Sequence, residues 1–513
     1  MSFAEVKAKR KARDFFSTQA HMRANEANKA NDTPYAHALQ GTSLYVVHTE
    51  NYGRGLAVGS DAKPGDVLLR TTPHVSVLHT NQVQDRCYYC FRKRPIPLDA
   101  WDAARHCDEC GALQRWASAA RDAGQASVDP GADQYSAMEA RPTEDADAAQ
   151  LAFQLARFVS MDADPATSLR AFECPDAESL LSMIGAYTAN AFMLSDPQLD
   201  PIGVSISPVA ALCNHSCTPN AVVVFPSSSS SRTMQLVSLK PIRSGEQVWT
   251  SYVDLMDTYA HRQHMLQARY MFTCSCPLCT LTTCGAPHWT DPRTSLWCRV
   301  PGCRGFVATP RLDADRSDTG ACNVCAKQST LRGTLALHTR WQAAEALAEM
   351  AQHDAAAIPY TKLLSMVAWL SELVPPANTL LWRLLYTMHL LAIERAQTDA
   401  SSWGDAAQLT MLLCAGAQTC ANKSDPESAV YPRGHPVRAM LLTTLGKLLV
   451  QVTSVAEVRR TPLFSGAPAL PADVAQTAWL AQQALQQALQ EATIGFVHGD
   501  IVDMARAALA TGS

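Results

Sequence analysis

The residues that could do chemistry lie in a few short polar runs and in closely spaced cysteines. Cys213-Asn214-His215-Ser216-Cys217-Thr218-Pro219-Asn220 interrupts two apolar stretches, Val204 to Leu212 and Ala221 to Phe225. Such a run is either a surface turn or a buried network, and buried Asn and His need hydrogen-bond partners. Alone, the run supports both readings equally. The chain has 17 cysteines, and its start lacks the apolar core of a secretory leader, so metal ligation is expected rather than disulfides. Cys87-x2-Cys90 and Cys107-x2-Cys110, sixteen residues apart, suit one tetrahedral zinc, each pair giving two thiolates from a tight knuckle. Cys298-x4-Cys303 and Cys322-x2-Cys325, eighteen residues apart, form a second such set and resemble a small zinc ribbon of structural purpose. Cys274-x-Cys276-x2-Cys279 is a close trio. Cys174, Cys213, Cys284, Cys414 and Cys420 read as buried small residues.

The elements that must position these groups follow from composition and periodicity. At 513 residues and 47% hydrophobic, the chain suggests three or four folded domains. A net charge of −4 gives no global basic field for nucleic acid or an anionic membrane. No apolar run approaches ~18 residues, so no membrane span is expected. The basic start, Lys7, Lys9, Arg10, Lys11 and Arg13, reads as a helix end or tail, with nuclear import as the alternative. Strand-like patterning begins at Leu44, and Asn51 to Val58 holds a Gly-x-Gly turn between strands that alone would be an ordinary hairpin turn. Val67-Leu68-Leu69, 221–225 and 233–239 read as strands, the last two joined by the low-complexity run Ser227–Ser231. Residues 121–148 read as a linker, and 149–161 and 178–193 as helices. Beyond 333, helical spacing recurs over 335–350, 360–373, 380–396, 406–421, 436–452 and 474–492, as expected of stacked helix hairpins.

Three motifs together resemble the SET domain of protein lysine methyltransferases: Asn214-His215-Ser216-Cys217, Gly245 to Tyr252, and Phe272 to Cys279. With the Cys87 to Cys110 insertion and the segment Tyr431-Pro432-Arg433-Gly434-His435-Pro436 to Lys447, the resemblance is to the SET-and-MYND subfamily, from about residue 41 onward. It implies an α+β chain: a split SET β-fold with an inserted zinc finger and helices, a post-SET zinc cluster, a zinc ribbon, and an all-α, tetratricopeptide-like C-terminal domain. The implied parts are an N-terminal extension 1–40, SET first part 41–85, finger 86–120, linker 121–148, insertion helices 149–199, SET core 200–256, post-SET region 257–285, ribbon 286–332 and helical domain 333–513. The finger matches the family only in part. Two middle cysteines and the closing His and Cys have no counterpart, so one zinc is expected there, with partner binding through this finger and the helical domain.

The resemblance also implies site residues. Tyr252 would be the catalytic tyrosine, orienting the amine and polarising the methyl group. Tyr52, Gly53, Arg54, Gly55, Asn214, His215 and Phe272 would contact S-adenosylmethionine, and Tyr270 would line the lysine channel. Asn190 would bind the cofactor or cap its own helix. Cys217 would complete a zinc site with Cys274, Cys276 and Cys279, giving three structural zincs in all. His435 reads as beginning a helix. The expected activity is methyl transfer to lysine side chains of histone or other proteins, by a monomer in the nucleus, the cytoplasm or both. The alternative is a non-catalytic adaptor. Direct nucleic-acid binding is not expected, because the Cys sets lack a basic recognition helix.

Overall fold

The computed structural model describes residues 35–73, 75–82, 86, 177–196, 199–226, 233–284, 289–308, 319–330, 335–421, 425, 428–455 and 457–511. The finger cysteines Cys87, Cys90, Cys107 and Cys110, the linker 121–148, the helix 149–161 and the run Ser227–Ser231 lie outside the described residues. So does most of the N-terminal extension.

A short helix α1 (Ala36–Leu39) leads into the hairpin β1 (Leu44–Thr49) and β2 (Gly53–Val58). β3 (Val67–Thr71) and β4 (Val75–Leu78) follow, and then, after the insertion, α2 (Ala177–Asn190), β5 (Ala191–Ser195) and β6 (Pro201–Ile206). Next come β7 (Asn214–His215), β8 (Ala221–Val224), β9 (Met234–Ser238) and β10 (Trp249–Thr250). Two three-stranded sheets rejoin the halves that the insertion separates. Their orders are β3-β9-β8 and β4-β6-β5, so a strand from the first half pairs antiparallel with one from the second in each. Leu56 and Val58 of β2, Leu69 of β3 and Leu236 of β9 fill one core with Val248.

The helix expected over 178–193 stops at Asn190, because Ala191 to Leu194 pair with β6 instead. Tertiary pairing here overrides local periodicity. Two helices that apolar spacing did not signal, α3 (Tyr259–Tyr270) and α4 (Pro277–Cys284), flank the cysteine trio. α3 begins where the Thr258 hydroxyl accepts the His261 N–H at 3.2 Å and ends at Met271, which has φ 56°. The ribbon is two small hairpins, β11 (Ser295–Trp297) with β12 (Phe306–Ala308) and β13 (Thr319–Ala321) with β14 (Gln328–Thr330).

The helical domain holds α5 (Leu335–His353), α6 (Tyr360–Leu373), α7 (Thr379–Thr398), α8 (Trp403–Ala417), α9 (Pro436–Ser454), α10 (Val474–Phe496) and α11 (Asp500–Thr511). The first six fall on the periodic stretches; α11 was not expected. The His435 imidazole accepts the Val437 N–H at 3.3 Å and starts α9, and burial drives its pKa down to about 3. This domain is not a separate body. Val224 and Val237 of the β3-β9-β8 sheet share a core with Ala439, Ala492, Phe496, Ile501 and Val502. Leu255 and Met256, each 2% exposed, enter the main helical core. Burying one such side chain contributes roughly 1.5–3 kcal/mol. No helix among the described residues is long and apolar enough to cross a membrane.

Candidate active site and metal centres

The run 213–220 is a buried network rather than a surface turn. β7 pairs parallel with β10, setting Asn214 beside Trp249 and His215 beside Thr250. Asn220 closes the knot. Its Oδ1 accepts the Trp249 N–H at 2.8 Å, and its Nδ2 donates to the Gln247 carbonyl at 3.0 Å. Sequence reasoning assigned Asn220, which is half-buried, no role.

Around this knot lies a cavity of about 590 Å³, a size ordinary for a small-molecule site. Tyr52, Gly53, Arg54, Asn190, Asn214, His215, Tyr252, Tyr270 and Phe272 all line it. Tyr35, Asn51, Thr273 and Ser275 line it as well and were missed. Ser275 lies between two cysteines of the trio, a position that the spacing marked. Tyr35 carried no such signal. The Arg54 guanidinium stands 5.9 Å from its ring centroid.

Gly55 differs from the expectation. The turn is at 50–52, and Gly55 lies within β2 opposite Val47. A Cβ at Gly55 would sit 2.2 Å from Gln247 Nε2 and 2.7 Å from Asn214 Nδ2. The glycine therefore serves close approach: it lets Asn214 reach across β2 and donate to the Arg54 carbonyl at 3.0 Å. Asn190 lines the cavity, and its Nδ2 donates to the Ala186 carbonyl at 2.8 Å within its own helix.

Tyr252 lies two residues past β10, not on a strand. Its N–H donates to His215 Nδ1 at 3.0 Å, and its hydroxyl donates to the Cys213 carbonyl at 2.6 Å. With its proton so committed, the phenol oxygen offers lone pairs to the cavity. The ring stands 4.8 Å from Tyr270, 5.3 Å from His215 and 6.4 Å from Phe272, centroid to centroid. Burial raises the pKa of Tyr270, keeping it a neutral phenol. A second cavity of about 550 Å³, between the two three-stranded sheets and the helical domain, shares Ala189, Asn190, Ala211, Tyr252 and Tyr270 with the first. The two cavities meet at this aromatic pair.

Cys217, Cys274, Cys276 and Cys279 come together, all buried, their sulfurs within 4.8 Å of one another. Cys217 Sγ and Cys279 Sγ stand 3.6 Å apart. Four sulfurs at ~2.3 Å from one zinc are ~3.8 Å apart, so the set fits a tetrahedral ion. Bonds from the neighbouring thiols hold the Cys217 pKa low, and the same crowding raises those of Cys274 and Cys279. His215 Nδ1 accepts from Tyr252, so the ring proton is on Nε2 and points to Cys217 Sγ at 3.3 Å. One imidazole thus ties a metal-type cysteine to the Tyr252 backbone. Gln263 braces the cluster: Nε2 donates to the Cys274 carbonyl at 2.8 Å and to Cys279 Sγ at 3.3 Å. Arg262, fully buried, adds positive charge. Burial works against its ionised form, but Cys217, Asp291 and Cys279 outweigh that cost.

Cys298, Cys303, Cys322 and Cys325 form the second cluster, with sulfur pairs at 3.7 Å, and it too could hold a metal. Of the cysteines expected to be buried, Cys213 and Cys414 are, Cys420 is partly buried, Cys284 is exposed, and Cys174 lies outside the described residues. Cys284 ends α4 away from the cluster that the helix begins.

The site is thus a parallel two-residue pair beside the two three-stranded sheets, with a tyrosine just beyond it. Residues 53–253 match the family model of the SET domain. Histone-lysine N-methyltransferase ASHR1 of Arabidopsis thaliana is 26% identical over 310 residues, 52% of this chain and 62% of that protein. N-lysine methyltransferase SMYD2 of Sus scrofa is 36% identical over 108 residues, 21% of this chain and 24% of that protein. The match spans less than two thirds of either relative. The SET domain of LSMT, solved bound to lysine and AdoHcy, aligns with 84% of this chain and 93% of its own at 13% identity and a TM-score of 0.28.

Proposed function

We propose that this chain transfers methyl groups from S-adenosylmethionine to lysine side chains of proteins. The carrying observation is the junction of two cavities at Tyr252 and Tyr270. One side is a small-molecule cavity edged by amide and guanidinium groups and by Phe272; the other is a cleft open to a polypeptide. Asn51, Asn190 and Asn214 offer polar partners to an amino-acid end, Phe272 offers a face for a purine, and the close approach allowed by Gly55 holds Asn214 in place. S-adenosylmethionine would supply an electrophilic methyl group.

The chain's own residues do the rest. A free lysine has pKa ~10.4, so a neutral amine near pH 7.4 costs roughly 4 kcal/mol. Where the two cavities meet, the aromatic wall of Tyr252 and Tyr270 would keep water from the ammonium and favour proton loss to solvent. The Tyr252 oxygen, its proton held by Cys213, accepts an N–H of the amine and aims the lone pair at the cavity. Alignment of this kind is worth ~7–11 kcal/mol in well-oriented systems. The two described cysteine clusters would hold structural zinc, and the helical domain, with the finger, would bind partner proteins. Acting on histone or other proteins, the enzyme would work in the nucleus, the cytoplasm or both.

The test is calorimetry with S-adenosylmethionine on zinc-loaded protein, then transfer of labelled methyl to a lysine-peptide array. Tyr252→Phe should keep cofactor binding and lose ~10²-fold in transfer rate, the scale of one aimed polar group. Folded protein that binds no cofactor would instead support the adaptor.

A further inference from the structure

Between Thr250, where β10 ends, and Tyr259, where α3 begins, the chain has no regular structure. Yet this stretch carries Tyr252, and a displacement of ~1 Å at such a residue can cost ~10²-fold in rate. Something other than a ladder must hold it. Its start is fixed by His215. Its far end is fixed by the helical domain.

We propose that Tyr431 is a positioning residue for Tyr252, acting from the helical domain through the carboxylate of Asp254; this rests on the role given to Tyr252 above. The Tyr431 hydroxyl donates to Asp254 Oδ1 at 2.5 Å, across 177 residues of sequence. The same oxygen accepts the Met256 N–H at 2.9 Å, so one carboxylate closes the turn and ties it to the helical domain. Within the turn, the Ser251 hydroxyl donates to the Val253 carbonyl at 2.7 Å. Beyond it, the Thr379 hydroxyl donates to the Met256 carbonyl at 2.7 Å.

Tyr431 is itself immobilised on several sides. It is 2% exposed, with its ring 4.7 Å from His435 and 6.1 Å from Trp382. Its N–H donates to the Ala417 carbonyl at 3.1 Å. Its carbonyl accepts from Arg438 at 3.3 Å, and Arg438 pairs with the buried Glu491 at 2.5 Å. Burial and the adjacent Asp254 hold its pKa well above that of a free phenol, so it donates at every pH at which the protein works. The Tyr-Pro-Arg-Gly-His-Pro segment, conspicuous in the sequence, thereby gains a task. It carries a fixed hydroxyl to the turn two residues past Tyr252.

Tyr431→Phe keeps the ring and its packing and removes only that hydroxyl. Amide hydrogen exchange on the cofactor-free, zinc-loaded protein should show residues 251–256 exchanging about 10-fold faster, with α8 and α9 unchanged. Methyl transfer should lose about 10-fold in kcat while S-adenosylmethionine Kd and peptide KM stay within twofold. Asp254→Asn, which keeps the acceptor oxygen, should retain most of both readouts. Asp254→Ala should reproduce Tyr431→Phe, and the two changes together should add nothing. Unchanged exchange at 251–256, exchange that rises throughout α8 and α9, or additive losses would each overturn the proposal. If the wild type transfers no methyl at all, the enzymatic reading fails, and the exchange result still decides whether Tyr431 holds the turn.

Discussion

The two described cysteine clusters have the same ligands and nearly the same sulfur spacing, 3.6 Å in one and 3.7 Å in the other. They differ in what they tie together. The ribbon cluster joins neighbouring hairpins, and two of its four cysteines are only partly buried. Its link to the rest includes one weak bond, from Asn323 to the Ala421 carbonyl at 3.5 Å. The other cluster spans 62 residues from Cys217 to Cys279, is wholly buried, and borders the cavity through Ser275. It has Arg262 for charge, Gln263 for orientation and His215 as a bridge to Tyr252. The same four-cysteine set is thus local scaffolding in one place and part of the frame of the candidate site in the other. The surrounding side chains, not the ligands, make the distinction.

The sharpest way to break this contrast is to remove one ligand from each. Cys276→Ser should release one equivalent of zinc and weaken S-adenosylmethionine binding by more than ~100-fold, because the loop carrying Phe272 and Ser275 loses its anchor. Cys303→Ser should release one equivalent and leave cofactor affinity within twofold. Metal analysis with calorimetry reads both, and equal effects would erase the distinction. A smaller effect is expected from the surroundings. Arg262→Met should lower zinc affinity of the SET-side cluster ~10–100-fold in chelator competition and leave the ribbon's unchanged, the usual scale for groups supporting metal ligands. Smaller again is a matched pair of glycines. A Cβ at Gly305 would lie 2.3 Å from Cys322 Sγ, as one at Gly55 would lie 2.2 Å from Gln247 Nε2. Gly55→Ala should weaken cofactor binding about 10-fold at full zinc content, the scale of one overpacked contact. Gly305→Ala should do the reverse, costing ribbon zinc and sparing the cofactor.

Residue type and spacing made much of this legible. Close cysteine pairs announce metal because tight knuckles are local. The six helical stretches of the C-terminal domain announce themselves because apolar faces recur at the helical period, and Tyr360 to Leu373 came out with its observed ends. Short elements were less legible. Ala191 to Met193 continued a helical pattern but became a strand, since its partner β6 exerts a pull that no local rule contains. Trp249–Thr250 is only two residues of ladder, and its parallel partner lies 35 positions earlier.

By itself, the sequence determined the close cysteine trio and the ribbon pairs, six helices of the C-terminal domain and the polar run that had to be either a turn or a site, because these rest on local chemistry and periodicity. Only the tertiary structure decided that the run is buried, that Tyr35 and Ser275 join the cavity, that Gly55 works by close approach, and that Tyr431 reaches Asp254. Each of these depends on contacts between distant segments, and such contacts are chosen by packing the whole chain.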